Sequence, residues 1–134
     1  MSTFNLTIVT PFGVYYKGEV NFLELRNEDS VLGILPKHTP IISTVKLGKI
    51  LVIINGNRNI YATSGGILDV KKDGTVTLLL NSIERKDEID LERAKRAKQR
   101  ALDRIEKGEN KDNSANKSLA RAENRINIVE DKND

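Results

Sequence analysis

The chain reads as an α+β protein: an N-terminal antiparallel β-sandwich of about ten strands, followed by a C-terminal two-helix antiparallel hairpin. Three observations predict this. Short alternating apolar segments fill residues 1–83, each bounded by Gly, Pro, Asn or Asp. The hydrophobic period then changes to that of a helix. Charge density changes at the same place: residues 1–83 carry eight basic and six acidic side chains, the 51 residues after them 14 and 13. The expected boundary is Ile83-Glu84, giving domains 1–83 and 84–134.

In order, Phe4, Leu6 and Ile8 alternate with Asn5 and Thr7, the period-2 mark of a half-buried strand. Thr10-Pro11-Phe12-Gly13 is a turn. Val14-Tyr15-Tyr16 and Val20 to Arg26 are extended, with a turn at Asn27-Glu28-Asp29-Ser30. Val31 to Leu35 is a short apolar run before Pro36-Lys37-His38-Thr39-Pro40. Ile41–Val45, Ile50–Ile54 and Asn59–Thr63 are strands, and Asn55-Gly56-Asn57 joins the last two as a hairpin. Ser64-Gly65-Gly66 and Lys72-Asp73-Gly74 bracket Ile67–Val70, and Thr75–Leu80 closes the set.

From Asp90 to about Lys107 there is neither Gly nor Pro, and Ala, Arg, Lys, Glu and Leu dominate, all good helix formers. Asp87 or Asp90 caps this helix. The Asn-rich segment 108–116 reads as a loose break, with a second helix from Asn116 or Ser118 to Val129 and fraying over Glu130–Asp134. The apolar side of the first helix is Leu91, Ala94, Ala97, Ala101, Leu102 and Ile105; that of the second is Leu119, Ala122, Ile126 and Val129. Much of this stripe is alanine, which buries little area at ~25 cal/mol per Å². Ordering each residue costs ~1–2 kcal/mol of backbone entropy. The hairpin is therefore expected to depend on a docking surface and to be adjustable in position.

Composition narrows the function classes. The core is aliphatic and modest, with 38% hydrophobic and 4% aromatic residues and no Trp. There is no Cys and a single His, His38, so disulfides, thiolate metal sites and His-cluster zinc are excluded. No apolar run approaches the ~20 residues of a membrane span, and Met1-Ser2-Thr3-Phe4 lacks the form of a signal peptide. A soluble intracellular protein is expected. The net charge of +3 is too mixed for a nucleic-acid footprint. No nucleophile–base set and no P-loop is present.

His38 reads as a turn residue between two prolines, and Gly33 and Gly65-Gly66 as bulges or close backbone approaches. Glu84, Asp87, Glu88 and Asp90 read as capping and ion-pairing groups, since no apolar pocket surrounds them. Arg93, Arg96, Arg100 and Arg104 at helical spacing, with Arg121 and Arg125 on the second helix, are either a solvated face laced with pairs such as Glu92–Arg96 or an anion site.

Three segments resemble one family. Gly33-Ile34-Leu35-Pro36-Lys37-His38-Thr39-Pro40, Ser64-Gly65-Gly66-Ile67-Leu68-Asp69-Val70 and Ile89-Asp90-Leu91-Glu92-Arg93-Ala94 are similar, in order and spacing, to motifs of the ε subunit of bacterial F-type ATP synthase. The resemblance implies a ten-stranded sandwich and two helices in a non-catalytic central-stalk subunit of the proton-translocating enzyme. Its partners would be the γ subunit, the c-ring and the α/β catalytic head. It would lie peripherally on the cytoplasmic face of the cell membrane, attached through the complex. It would need no cofactor. The hairpin would inhibit ATP hydrolysis when extended and permit turnover when folded down, with ATP as a regulatory ligand of the folded-down form. The residues matching that ATP site are Glu84, Ile89, Asp90, Arg93, Ala94, Arg100, Arg121 and Arg125. Arg96 and Arg104 fall outside it and would meet acidic residues of the head.

Overall fold

The computed structural model describes residues 2–131. Of the fraying expected over Glu130–Asp134, Glu130 is instead the last residue of a helix and Asp131 its C-cap, and residues 132–134 lie outside the described residues. The chain forms two compact units that divide between Arg85 and Lys86.

The first unit is a sandwich of two five-stranded sheets. Its strands are β1 (Phe4–Thr10), β2 (Gly13–Val20), β3 (Phe22–Arg26), β4 (Val31–Ile34), β5 (Ile41–Val45), β6 (Gly48–Ile54), β7 (Asn57–Thr63), β8 (Gly66–Val70), β9 (Val76–Leu80) and β10 (Ile83–Arg85). One sheet runs β2-β1-β9-β8-β5 and the other β10-β7-β6-β3-β4. Neighbours are antiparallel except β1 and β9, which pair in parallel from Leu6↔Val76 to Val9↔Leu79. Alternation sends Leu6 and Ile8 of β1, Leu23 and Leu25 of β3, Leu68 of β8 and Leu78 of β9 into one core, each at most 1% exposed.

The expected strand Val20–Arg26 is two strands broken at Asn21, where the chain passes from one sheet to the other. Asn21 holds that corner: its N–H donates to the Ile53 carbonyl (2.8 Å) and its Oδ1 accepts from the Gly56 N–H (3.2 Å). At the β6–β7 turn Asn55 and Gly56 both have positive φ (51° and 79°). This is the two-residue I′ geometry, and it starts β7 at Asn57 rather than Asn59. The sequence reading missed β10, which pairs with the end of β7 (Ile83↔Thr63, Arg85↔Tyr61).

Two sequence readings of small elements hold. His38 belongs to a turn in which its N–H reaches the Leu35 carbonyl (3.1 Å), its Nδ1–H donates to the Thr39 carbonyl (2.6 Å), and Lys37 has φ 66°. Gly66 is a close approach: a Cβ there would lie 1.9 Å from the Leu79 carbonyl oxygen.

The second unit holds a 3₁₀ turn (Lys86–Glu88), α1 (Leu91–Glu106) and α2 (Ser114–Glu130). Asp90 is the N-cap of α1, its Oδ1 accepting the Arg93 N–H at 3.0 Å. Gly108 (φ 74°) ends α1 in a Schellman motif: the Glu109 N–H donates to the Arg104 carbonyl and the Gly108 N–H to the Ile105 carbonyl. The segment after it is ordered, not loose, and α2 begins at Ser114, earlier than Asn116 or Ser118. The reason is capping from upstream. Asp112 Oδ1 accepts the Ser114 N–H (3.0 Å), and Asn110 Oδ1 accepts those of Ala115 (2.9 Å) and Asn116 (3.4 Å). The N-cap residue Asn113 is left-handed and makes no cap bond with its own side chain.

Helix–helix packing uses small residues. Ala94 and Ala101 are the buried positions of α1; Ala115, Ala122 and Ile128 are those of α2. Leu102, expected on the apolar side, is 39% exposed, because it lies 100° past buried Ala101. Ala115 and Ile128 were absent from the expected stripe.

Candidate functional site

The candidate site is one long face of the hairpin, and its geometry follows from the alanines. Ala94 and Ala101 are seven residues apart, as are Ala115 and Ala122, so each pair makes one seam along its helix. The connection is short and the helices run antiparallel. The Arg104 Nη2 donates to the Ser114 Oγ at 2.8 Å, tying the last turn of α1 to the first turn of α2.

In an antiparallel pair, the residue just before a seam position falls on the same flank of both helices. Arg93 and Arg100 immediately precede Ala94 and Ala101, and Arg121 immediately precedes Ala122. Residues three after a seam position lie on that flank as well, which places Arg104, Ser118 and Arg125 there. Five guanidinium groups therefore share one face. Arg93 to Arg104 alone spans ~16 Å at 1.5 Å per residue. The opposite flank carries Leu91, Leu102, Ile105, Leu119 and Ile126.

The face is not neutralised from within α1. No hydrogen bond or ion pair among the described residues engages the guanidinium of Arg93, Arg96 or Arg100. The expected Glu92–Arg96 pair is not made. Arg93, Arg100 and Arg121 are exposed and Arg125 is half-buried. Arg121 Nη2 reaches Ser118 Oγ at 3.4 Å, on the same face. Guanidinium is a planar, permanently charged donor fork suited to phosphate oxygens.

All the sequence-derived site residues but Glu84 lie in this unit. Asp90 opens α1 and is committed by one oxygen to its cap. Ile89 is half-buried, its N–H donating to the Lys86 carbonyl at 3.3 Å. Ala94 is buried in the seam, 3% exposed. Glu84 belongs to the sandwich unit, in β10 opposite Ala62 of β7. Sequence reasoning missed Asn110, Ser114 and Ser118. The clue available is the run of hydroxyl and amide side chains from Asn110 to Ser118, which the sequence offers only as a break followed by a helix start at Asn116 or Ser118.

The sandwich unit has its own candidate contact surface. Across the outer face of its first sheet, Ile67 sits opposite Leu79, Leu79 opposite Val9, and Val9 opposite Val14. Ile67, Leu79 and Val14 are 46%, 48% and 64% exposed. The row crosses four strands, ~14 Å at the usual strand spacing. Among the described residues no group of three or more His, Cys, Asp or Glu is placed to hold a metal ion, and no helix is long and apolar enough to cross a membrane.

Comparison with known proteins agrees with this architecture over both units. Residues 3–86 match the family described as ATP synthase, Delta/Epsilon chain, beta-sandwich domain, and residues 87–130 its long alpha-helix domain. The chain is 38% identical over 132 residues to the ATP synthase epsilon chain of Staphylococcus haemolyticus, covering 97% of this chain and 98% of the relative. It is 41% identical over 130 residues to that of Desulforamulus reducens, covering 96% and 98%. Among solved structures, a chain of the Euglena gracilis mitochondrial ATP synthase assembly of OSCP, F1 and c-ring superposes with a TM-score of 0.72 at 20% identity, covering 97% of this chain and 79% of that one. A chain of the Tetrahymena thermophila mitochondrial central stalk and c-ring gives 0.58 at 15% identity, covering 65% and 69%. These last two likenesses are of fold.

Proposed function

We propose a mechanism from one premise: the chain belongs to the ATP synthase Delta/Epsilon family and is an epsilon-type, non-catalytic subunit of the central stalk. In this reading the sandwich is the fixed part. It docks on the γ subunit and lies by the c-ring, at the cytoplasmic face of the membrane, held there through the complex. The apolar row Ile67–Leu79–Val9–Val14 supports γ docking, since an exposed apolar patch on a sheet marks a contact surface.

The hairpin is the regulatory part. Folded down, it permits ATP hydrolysis; extended toward the catalytic head, it inhibits. ATP binds the folded-down form through Arg93, Arg100, Arg121 and Arg125 of the hairpin unit, with Ile89, Asp90 and Ala94 of the same unit completing the site. The single observation that carries this is the gathering of those arginines on one face, with Arg93 and Arg100 unneutralised. Only the closed hairpin presents arginines from both helices to one triphosphate. ATP then stabilises the closed form by its differential affinity for the two states, which is the sole way a ligand shifts such an equilibrium. The alanine seam keeps the energy gap small enough for the ligand to matter.

Calorimetric titration of the isolated protein with ATP tests the reading. Saturable binding at or below millimolar ATP is expected; no heat at millimolar ATP ends the ATP part of the proposal.

A further inference from the structure

The arginine face exists only if α2 starts at the right residue. Each residue added to or removed from the start of a helix rotates everything after it by 100° relative to its anchor. A one-residue slip of α2 would carry Arg121 and Arg125 off the flank that holds Arg93 and Arg100. Something must therefore fix the start of α2, and the seam does so weakly, because alanine against alanine offers little shape to resist a slip.

We propose that Asn110 is a positioning residue for the anion-binding face, acting with the Arg104–Ser114 bond; the inference rests on the ATP reading above. Asn110 stands just after the Schellman turn that ends α1, so its place is set by α1. From there one side-chain oxygen accepts the N–H groups of Ala115 (2.9 Å) and Asn116 (3.4 Å), the first turn of α2. The Asn113 N–H returns to the Asn110 carbonyl at 3.2 Å, closing the turn that carries the chain across. At the same level Arg104 of α1 donates to Ser114 of α2. Asn110 thus ties the end of one helix to the beginning of the other. Ala115, fixed by that bond and buried to 0% exposure, is the first seam position of α2. Arg121 and Arg125 take their places six and ten residues further on.

The test uses the full chain in three forms, wild type, Asn110→Ala and Asn110→Asp, each titrated with ATP by calorimetry and checked by far-UV circular dichroism. Asn110→Ala removes the acceptor, and its Kd is expected to rise about tenfold, the scale of misplacing one charge-assisted hydrogen bond. Asn110→Asp keeps an acceptor oxygen at the same reach and is expected to bind within about twofold of wild type. The rescue separates register from loss of helix. Ser114→Ala, a milder lesion, is expected to weaken ATP by a few-fold with helicity unchanged. Wild-type binding with Asn110→Ala equally tight overturns this inference alone. Weakening in Asn110→Ala that tracks lost helicity, without rescue by Asp, also overturns it. No ATP binding by wild type overturns the inference together with the ATP reading it rests on.

Discussion

Arg104 and Ser114 meet at 2.8 Å across the loop end of the hairpin, the guanidinium of one helix on the hydroxyl of the other. The bond does in polar chemistry what the seam cannot do in apolar chemistry. Four buried alanines give a close but smooth contact, whereas a directed donor and acceptor favour one register. The same end of the hairpin carries the Schellman motif and the Asn110 cap, so the start of α2 is tied to the end of α1 by directed bonds. Further along the same flank, Arg93, Arg100 and Arg121 are exposed, and there a ligand would add to what the chain itself provides.

Replacing the arginines singly should therefore cost binding, and at Arg93, whose guanidinium engages nothing among the described residues, little stability. Arg93→Ala and Arg125→Ala are each expected to weaken ATP about tenfold or more, as hydrogen bonds to charged groups contribute ~1.5–3 kcal/mol. Arg96→Ala is the control, because Arg96 points away from both flanks. Equal loss of affinity in Arg96→Ala would mean that net charge, not the face, is what ATP reads.

Asp90 has two roles that can be separated. Its cap to the Arg93 N–H should make Asp90→Ala destabilise α1 by about 1 kcal/mol, seen as a lower melting temperature of the helical signal. Asp90→Ser restores a capping oxygen without the charge. If Ser recovers melting but not ATP affinity, the carboxylate contributes to the ligand directly.

How far the sequence could lead is clear from where it stopped. Alternation and turn residues made most strands legible, because those signals are local: Phe4, Leu6 and Ile8 announce β1 without reference to anything else. The strand β10 has no such signal. Ile83-Glu84-Arg85 is three residues with two charges, extended because β7 lies alongside, about 20 residues earlier in the chain. The parallel pairing of β1 with β9 is equally non-local. In the helical unit the Asp90 cap was legible, since its acceptor and donor are three residues apart. The start of α2 was not, because its caps come from Asn110 and Asp112, which as a run look like coil. Misplacing that start put Ala115 in the loop, hid the second alanine pair, and so hid the reason the arginines share a face.

Acid should loosen the hairpin from that end. The Asp112 carboxyl is held below the usual aspartate range, first by the Ser114 hydroxyl and then by the Ser114 N–H. A group whose folded pKa is depressed contributes stability that is fully present above its unfolded value, about 3.9, and is lost as pH falls through the folded one. The Ser114 amide is therefore expected to keep its protection from neutral pH down to about 4 and to lose it on further acidification. Hydrogen exchange or amide chemical shifts would follow this. Protection lost between pH 7 and 5 would point to a different group.

The sandwich should be least tolerant at Gly66. A methyl there would meet the Leu79 carbonyl oxygen at 1.9 Å and the Leu80 Cα at 2.8 Å, both backbone atoms of the adjoining strand. Neither can swing aside as a side chain would, so Gly66→Ala must spread β8 from β9. A loss of about 3 kcal/mol is expected, at the upper end of overpacking costs. Gly74→Ala strains its positive φ but meets nothing within 4 Å and should cost less. Urea melts of the two variants rank them. Equal losses would show that backbone conformation, not close approach, governs these glycines.

Leu79 tests the docking surface without disturbing that core. It alternates with buried Leu78 and Leu80 and is itself 48% exposed, at the middle of the apolar row with Ile67 and Val9 on either side. Leu79→Asp puts a charge where a γ surface would have to desolvate it, a cost that an interface pays and a free surface does not. Stability is expected to change by less than about 1 kcal/mol, while co-purification with γ is lost. Thr77→Asp, two residues along on the same outer face and off the row, should leave co-purification intact. Retention of γ by Leu79→Asp would move the docking surface away from this sheet. A truncation after Arg85, which keeps β10 paired to β7, then completes the division of labour: it should still bind γ but no longer make ATP hydrolysis by the complex depend on ATP through the hairpin.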